Sequence, residues 1–220
     1  MKVLVTGGAG FIGTNLIKRL LDDGHSVISF DNYVTGKREN EQVGCEYIEC
    51  DITDSYDVQK HLLGENIDVI YHLAALARIQ PSFKNPTNTF KTNVVGTMNI
   101  MEWAKNNDCP VVYAGSSSTH GGVFKNPYTF TKYQGEQIVE LYNRVYGVPS
   151  AICRFYNVYG PYQLTEGEYC TVIGIFEKQY KEGVELTITG DGEQRRDFTH
   201  VFDIVDGFVK CGNSLVIPNA

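Results

Sequence analysis

Tyr128 and Lys132 stand four positions apart in Tyr128-Thr129-Phe130-Thr131-Lys132, and the serine run Ser116-Ser117-Ser118 lies shortly before them. Residues i and i+4 share one face of a helix, so the ammonium can sit beside the phenol. A free phenol titrates at about 10, too high for a base at neutral pH, and a neighbouring cation favours the phenolate. A serine hydroxyl bonded to the reacting oxygen would hold it against the tyrosine. The chemistry these groups suggest is removal of a proton from an alcohol. A Tyr and a Lys at this spacing also arise by chance on amphipathic helices, so the reading needs a second feature.

That feature is the N-terminal stretch Lys2-Val3-Leu4-Val5-Thr6-Gly7-Gly8-Ala9-Gly10-Phe11-Ile12-Gly13. Val3, Leu4 and Val5 form the apolar run of a strand buried on both faces, and Ile12, Leu16, Ile17, Leu20 and Leu21 follow at helical spacing until Gly24. Between them Gly7, Gly10 and Gly13 fall in the spacing G-x-x-G-x-x-G. A glycine turn leading into a helix N-terminus presents unpaired N–H groups and the positive end of the helix dipole to a diphosphate. A second apolar run, Ser26 to Phe30, ends in Asp31, whose carboxylate can accept hydrogen bonds from an adenosine ribose and would repel a 2′-phosphate. Glycine turns occur in many α/β proteins. The position after the first strand, with an acid after the second, points to NAD.

Further elements must carry the chemistry to the same place. Strands are predicted over Glu46–Cys50, Ile67–Leu73, Val111–Ala114 and Ser150–Tyr156. Helices are predicted after Asp54 as N-cap, over about Thr87 to Asn106, from Tyr128 to Tyr146, over about Val172 to Lys181, and from Asp203 to Cys211. Regular alternation of strand and helix predicts an α/β fold with a Rossmann-type doubly wound parallel sheet, and ligands outside the carboxyl ends of its strands. Every motif named so far falls at such an end. From Gly160 the pattern breaks up, which predicts a small substrate-binding lobe. Residues 1–156 with about 197–214 would form the NAD-binding domain, and about 157–196 with 215–220 a partial, truncated lobe.

The 220 residues can bury one sizeable core. A formal net charge of -7 argues against nucleic acid or an anionic membrane as partner. Any anionic ligand must then be held by a few placed cations. Six scattered cysteines without metal-ligand spacing predict reduced thiols and no metal site. With neither a long apolar segment nor a signal-peptide pattern, the expected location is the cytoplasm.

Taken together, the motifs resemble the extended short-chain dehydrogenase/reductase family, in its branch of sugar-nucleotide epimerases and dehydratases. The matching residues are the glycine turn, Asp31-Asn32, Asp51-Ile52, His72-Leu73-Ala74-Ala75, Asn93, the serine run, Tyr128 and Lys132, Arg154 to Pro161, and Gly190 to Phe198. They cover nearly the whole chain in the family's order. The resemblance implies that Gly7, Gly10, Phe11, Ile12 and Gly13 line the pyrophosphate of NAD, Asp31 and Asn32 the ribose, and Asp51 and Ile52 the adenine. It also implies cofactor contacts from Leu73, Ala74, Ala75 and Asn93. Tyr128 would be the base, and Lys132 would bind the nicotinamide ribose and favour the phenolate. Ser117 aligns best with the catalytic serine, Ser116 and Ser118 remaining open, while Asn157 and Arg196 would hold the substrate diphosphate.

The activity implied is 4-epimerisation of a nucleotide-diphosphate hexose of the UDP-glucose/UDP-galactose type, by transient oxidation at C4. Family dehydratases carry an Asp-Glu pair directly after the catalytic residue, whereas Ser118 and Thr119 follow Ser117 here. The resemblance further implies a homodimer built on the helices near Thr87–Asn106 and Tyr128–Tyr146. Two departures stand out. The Ser117 to Tyr128 segment is short, with Gly121 where an aromatic is usual, and the sequence stops at Ala220 where relatives continue. An NAD-binding module without turnover, or a sugar-nucleotide reductase or dehydratase, is therefore the alternative expectation.

Overall fold

The computed structural model describes residues 1–216. Six parallel strands form one sheet: β1 (Lys2–Thr6), β2 (Ser26–Asp31), β3 (Cys45–Glu49), β4 (Val69–His72), β5 (Val111–Ser116) and β6 (Ser150–Phe155). Their order is β3-β2-β1-β4-β5-β6, so the chain reverses its direction of travel between β1 and β4. That is the switch point of a Rossmann-like doubly wound sheet, where adjacent crossovers pass to opposite faces and leave a crevice. The predicted fold is the observed one.

Both faces of the sheet are covered, because successive strand residues point opposite ways. Leu4, Ile28 and Ile70 pack into one layer with Ile100, Met101 and Trp103 of α5 (Thr97–Asn106). Val3, Val5 and Val69 pack into the other with Leu16 and Leu20 of α1 (Phe11–Asp22) and with Val205 and Phe208 of a C-terminal helix. That helix spans Val201–Val216, longer than predicted. After β6 the chain leaves the sheet for a two-stranded ladder, β7 (Val158–Tyr159) with β8 (Thr199–His200), and the helix Val172–Glu182 between them. Of the segment assigned to the partial lobe, 217–220 lie outside the described residues.

Two differences from the predicted elements matter for the site. The helix expected from Thr87 to Asn106 is present as one continuous run, but its winding changes: α-helical over Pro86–Phe90, π-helical over Lys91–Gly96, then α5. A short helix, Ile79–Lys84, precedes it. In the π segment Gly96 faces Ile52, and a Cβ there would come within 2.5 Å of the Ile52 side chain. Widened turns of this kind recur near functional sites. Strand β5 runs two residues further than predicted, so Ser116 is its last residue rather than part of the following loop.

Candidate active site

The carboxyl ends of β1, β2, β4 and β5 open into one cavity of about 990 Å³. At its β1 end, Gly7 adopts φ +75, and a Cβ on it would meet the Ala74 backbone at 2.9 Å. Gly13 packs tighter still, since its Cβ would fall 2.2 Å from the Gly7 carbonyl oxygen. Only hydrogen fits at that point, which brings the first turn of α1 against the turn. Helix α1 has Gly10 as its N-cap, with no side-chain cap and no acid in the first turn, so its N–H groups face the cavity uncompeted.

Asp31 closes the neighbouring wall. One carboxylate oxygen accepts the Ala9 N–H at 2.9 Å and the other the Tyr33 N–H at 2.8 Å. Burial raises the Asp31 pKa, and the two N–H groups oppose that shift. Asn32, Asp51 and Ile52 continue the wall, followed by Leu73, Ala74 and Ala75. Beneath them His72 is wedged between Thr6 at 2.6 Å and Thr97 at 3.0 Å, and burial pushes it down to about 3, which keeps it neutral. The residues present fit a dinucleotide: a helix N-terminus with no side-chain cap for the diphosphate, an acid for the ribose, and a floor of small residues.

Asn93 is the exception among the cofactor residues expected from sequence. It does not line the cavity; its amide accepts the Leu76 N–H at 2.8 Å and donates to the Leu76 carbonyl at 3.1 Å and to Thr131 at 3.0 Å. It thereby braces the loop after β4 against α6 (Pro127–Tyr146), whose first turn is capped by Asn126.

Helix α6 delivers the second group of residues. The Tyr128 hydroxyl lies 3.1 Å from Ser116 Oγ, which is itself 2.9 Å from Ser118 Oγ. The sequence favoured Ser117; the structure sets Ser116 against the tyrosine, while Ser117 lines the cavity without that contact. One turn on, Lys132 Nζ donates to the Ala114 carbonyl at 2.5 Å and lies 4.4 Å from the Tyr113 ring centroid. Burial lowers the Lys132 pKa, and Tyr128 and Glu136 oppose the shift.

Glu136 escaped the sequence reading. Nearly fully buried, it accepts the Ser116 N–H at 3.3 Å, and Arg154 donates to it through Nε at 3.0 Å and Nη2 at 2.8 Å. A single carboxylate so ties the end of β5 to α6 and counters the charge of Lys132. Its signal was the continuation of the stripe, Tyr128, Lys132, Glu136, each four residues apart. Asn157 and Arg196 both line the cavity. Asn157 donates to the Asp197 carbonyl at 2.8 Å, and exposed Arg196 donates to the Arg195 carbonyl at 2.7 Å rather than pairing with Asp197.

The sequence model of the NAD-dependent epimerase/dehydratase family matches residues 3–215. UDP-glucuronic acid decarboxylase 1 of Xenopus tropicalis is 34% identical over 98% of this chain, which spans 54% of that protein. Among solved structures, the UDP-glucose 4-epimerase of Thermotoga maritima with UDP-glucose superposes with a TM-score of 0.91 at 31% identity, covering 95% of this chain and 72% of that one. The UDP-glucose 4-epimerase of Thermus thermophilus in complex with NAD gives 0.88 at 30% identity, covering 100% and 76%.

Proposed function

The chain belongs to the NAD-dependent epimerase/dehydratase family, and from that premise we propose that it inverts C4 of a nucleotide-diphosphate hexose, in the manner of a UDP-glucose 4-epimerase. The observation that carries the reading is the contact of Ser116 with Tyr128 above buried Lys132, in the same cavity as the glycine turn. Tyr128 takes the proton of the C4 hydroxyl while Ser116 holds that oxygen in place. Lys132, one helical turn below, stabilises the phenolate. Held at the Gly7–Gly13 turn and Asp31, NAD would supply the hydride acceptor for C4 and the hydride donor for its opposite face. Asn157 and Arg196 keep the diphosphate anchored so that the sugar can turn over in between, with guanidinium geometry suited to phosphate. Exposed Met98, Leu141 and Val145 on α5 and α6 support a homodimer through these helices.

Elimination is less well supported. With Ser116 as the serine, Ser117 and Ser118 follow it, and neither supplies the acid that water loss needs. NMR and mass analysis of UDP-glucose, UDP-galactose and their N-acetyl forms incubated with the protein and NAD separate the reactions. Inversion at C4 without mass change supports the epimerase. Loss of water would identify a dehydratase.

The serine assignment has its own test. Ser116→Ala removes the hydroxyl beside Tyr128, and turnover is expected to fall by about 10²- to 10³-fold. Ser117→Ala is expected to stay within about threefold, since no reacting oxygen is held by it. Steady-state rates of the two variants check this, and the reverse ranking would return the role to Ser117.

A further inference from the structure

Arg78 sits on the loop after β4 and lines the same cavity as Ser116 and Tyr128. Its Nε donates to the Tyr169 carbonyl at 2.7 Å, which anchors the plane of the guanidinium. Among the described residues that is the only hydrogen bond the group makes, leaving the two Nη groups without a protein acceptor. The adjacent acid on the wall, Glu168, is already paired with Lys84. Arg78 is partly buried, and burial lowers its pKa while the proximity of Tyr128 opposes this. A desolvated cation with no counter-charge is costly, so a ligand that completes it gains correspondingly.

A planar fork of donors matches a carboxylate in two-point geometry. The substrate diphosphate is assigned to Asn157 and Arg196, both beyond β6, whereas Arg78 lies on the Tyr128 side where the sugar reacts. On a hexose held with C4 at Tyr128, the neighbouring ring substituent able to bear a carboxylate is C6. We propose that Arg78 receives the C6 carboxylate of a nucleotide-diphosphate hexuronate, and that the site prefers such a sugar to a neutral hexose. This rests on the placement of the sugar given by the proposed function.

The test is titration calorimetry of the NAD-loaded protein with UDP, UDP-glucose and UDP-glucuronate, repeated on Arg78→Gln, whose amide can still donate to the Tyr169 carbonyl. The wild type is expected to bind UDP-glucuronate about 10- to 100-fold more tightly than UDP-glucose, the range of a charge-assisted hydrogen bond. Arg78→Gln is expected to abolish that difference and leave UDP and UDP-glucose within about threefold. Equal wild-type affinity for the two sugars overturns the proposal. So does a uniform loss on all three ligands, which would make Arg78 a brace for the Tyr169 segment or a diphosphate contact. Affinity and C4 inversion are separate readouts, so the outcomes separate. C4 inversion without carboxylate preference keeps the epimerase and removes this proposal; carboxylate preference without inversion does the opposite.

Discussion

Tyr128→Phe is expected to lower turnover by about 10³- to 10⁴-fold while the protein still binds NAD. The phenol is the group that takes the proton, and Ser116, 3.1 Å away, has no base behind it to substitute. The ring itself remains, so the wall of the cavity is unchanged. Lys132 keeps its bond to the Ala114 carbonyl, which is a backbone contact independent of the phenol. The measurement is a steady-state rate beside a cofactor titration on the same preparation. A variant that turned over near the wild-type rate would remove Tyr128 from the chemistry. A variant that lost NAD as well would make its role one of cofactor binding.

Gly13→Val should produce the second large effect, this time on the cofactor. Even the first carbon of the new side chain would fall 2.2 Å from the Gly7 carbonyl oxygen and 2.7 Å from Gly8 Cα. Those are backbone atoms, so relief requires α1 to move away from β1 and take the first-turn N–H groups with it. NAD affinity is expected to drop at least about 100-fold, with a stability loss of about 2 to 4 kcal/mol from forced overpacking. Gly207→Ala is the matching control. Nothing lies within 4 Å of a Cβ at that helical position, and alanine is the better helix former, so stability should hold or rise by up to about 1 kcal/mol. Thermal melts and NAD titrations of both variants read the contrast. Unchanged NAD affinity in Gly13→Val would show that the turn does not carry the diphosphate.

These expectations draw on features with very different visibility in the sequence. The glycine turn, Asp31 and the Tyr128/Lys132 pair were legible because each depends on local spacing: a turn followed at once by a helix, an acid at a strand end, one face of one helix. The parallel, doubly wound sheet followed from alternation of strand and helix. Ser116 was harder, since three identical residues differ only in where the strand stops, and β5 proved two residues longer than its apolar run. Glu136 required knowing that the end of β5 abuts α6, a contact between residues 20 apart in sequence. Asn93 matched a family motif, yet in the structure its amide is spent on Leu76 and Thr131. The π segment was not read from the apolar pattern, and the approach of Gly96 to Ile52 is a tertiary fact. Arg78 carries no motif at all, and only its unpaired position on the cavity wall gives it meaning.

In the proposed reaction C4 loses its hydrogen inside the cavity and regains the same hydrogen on the other face. The most direct measurement is the proton NMR spectrum of a UDP-hexose pair brought to equilibrium by the NAD-loaded protein in D₂O. Inversion at C4 is expected with the original hydrogen still on that carbon, since the proton handled by Tyr128 comes from the hydroxyl alone. Deuterium at C4, or no inversion by protein that demonstrably holds NAD, would contradict it.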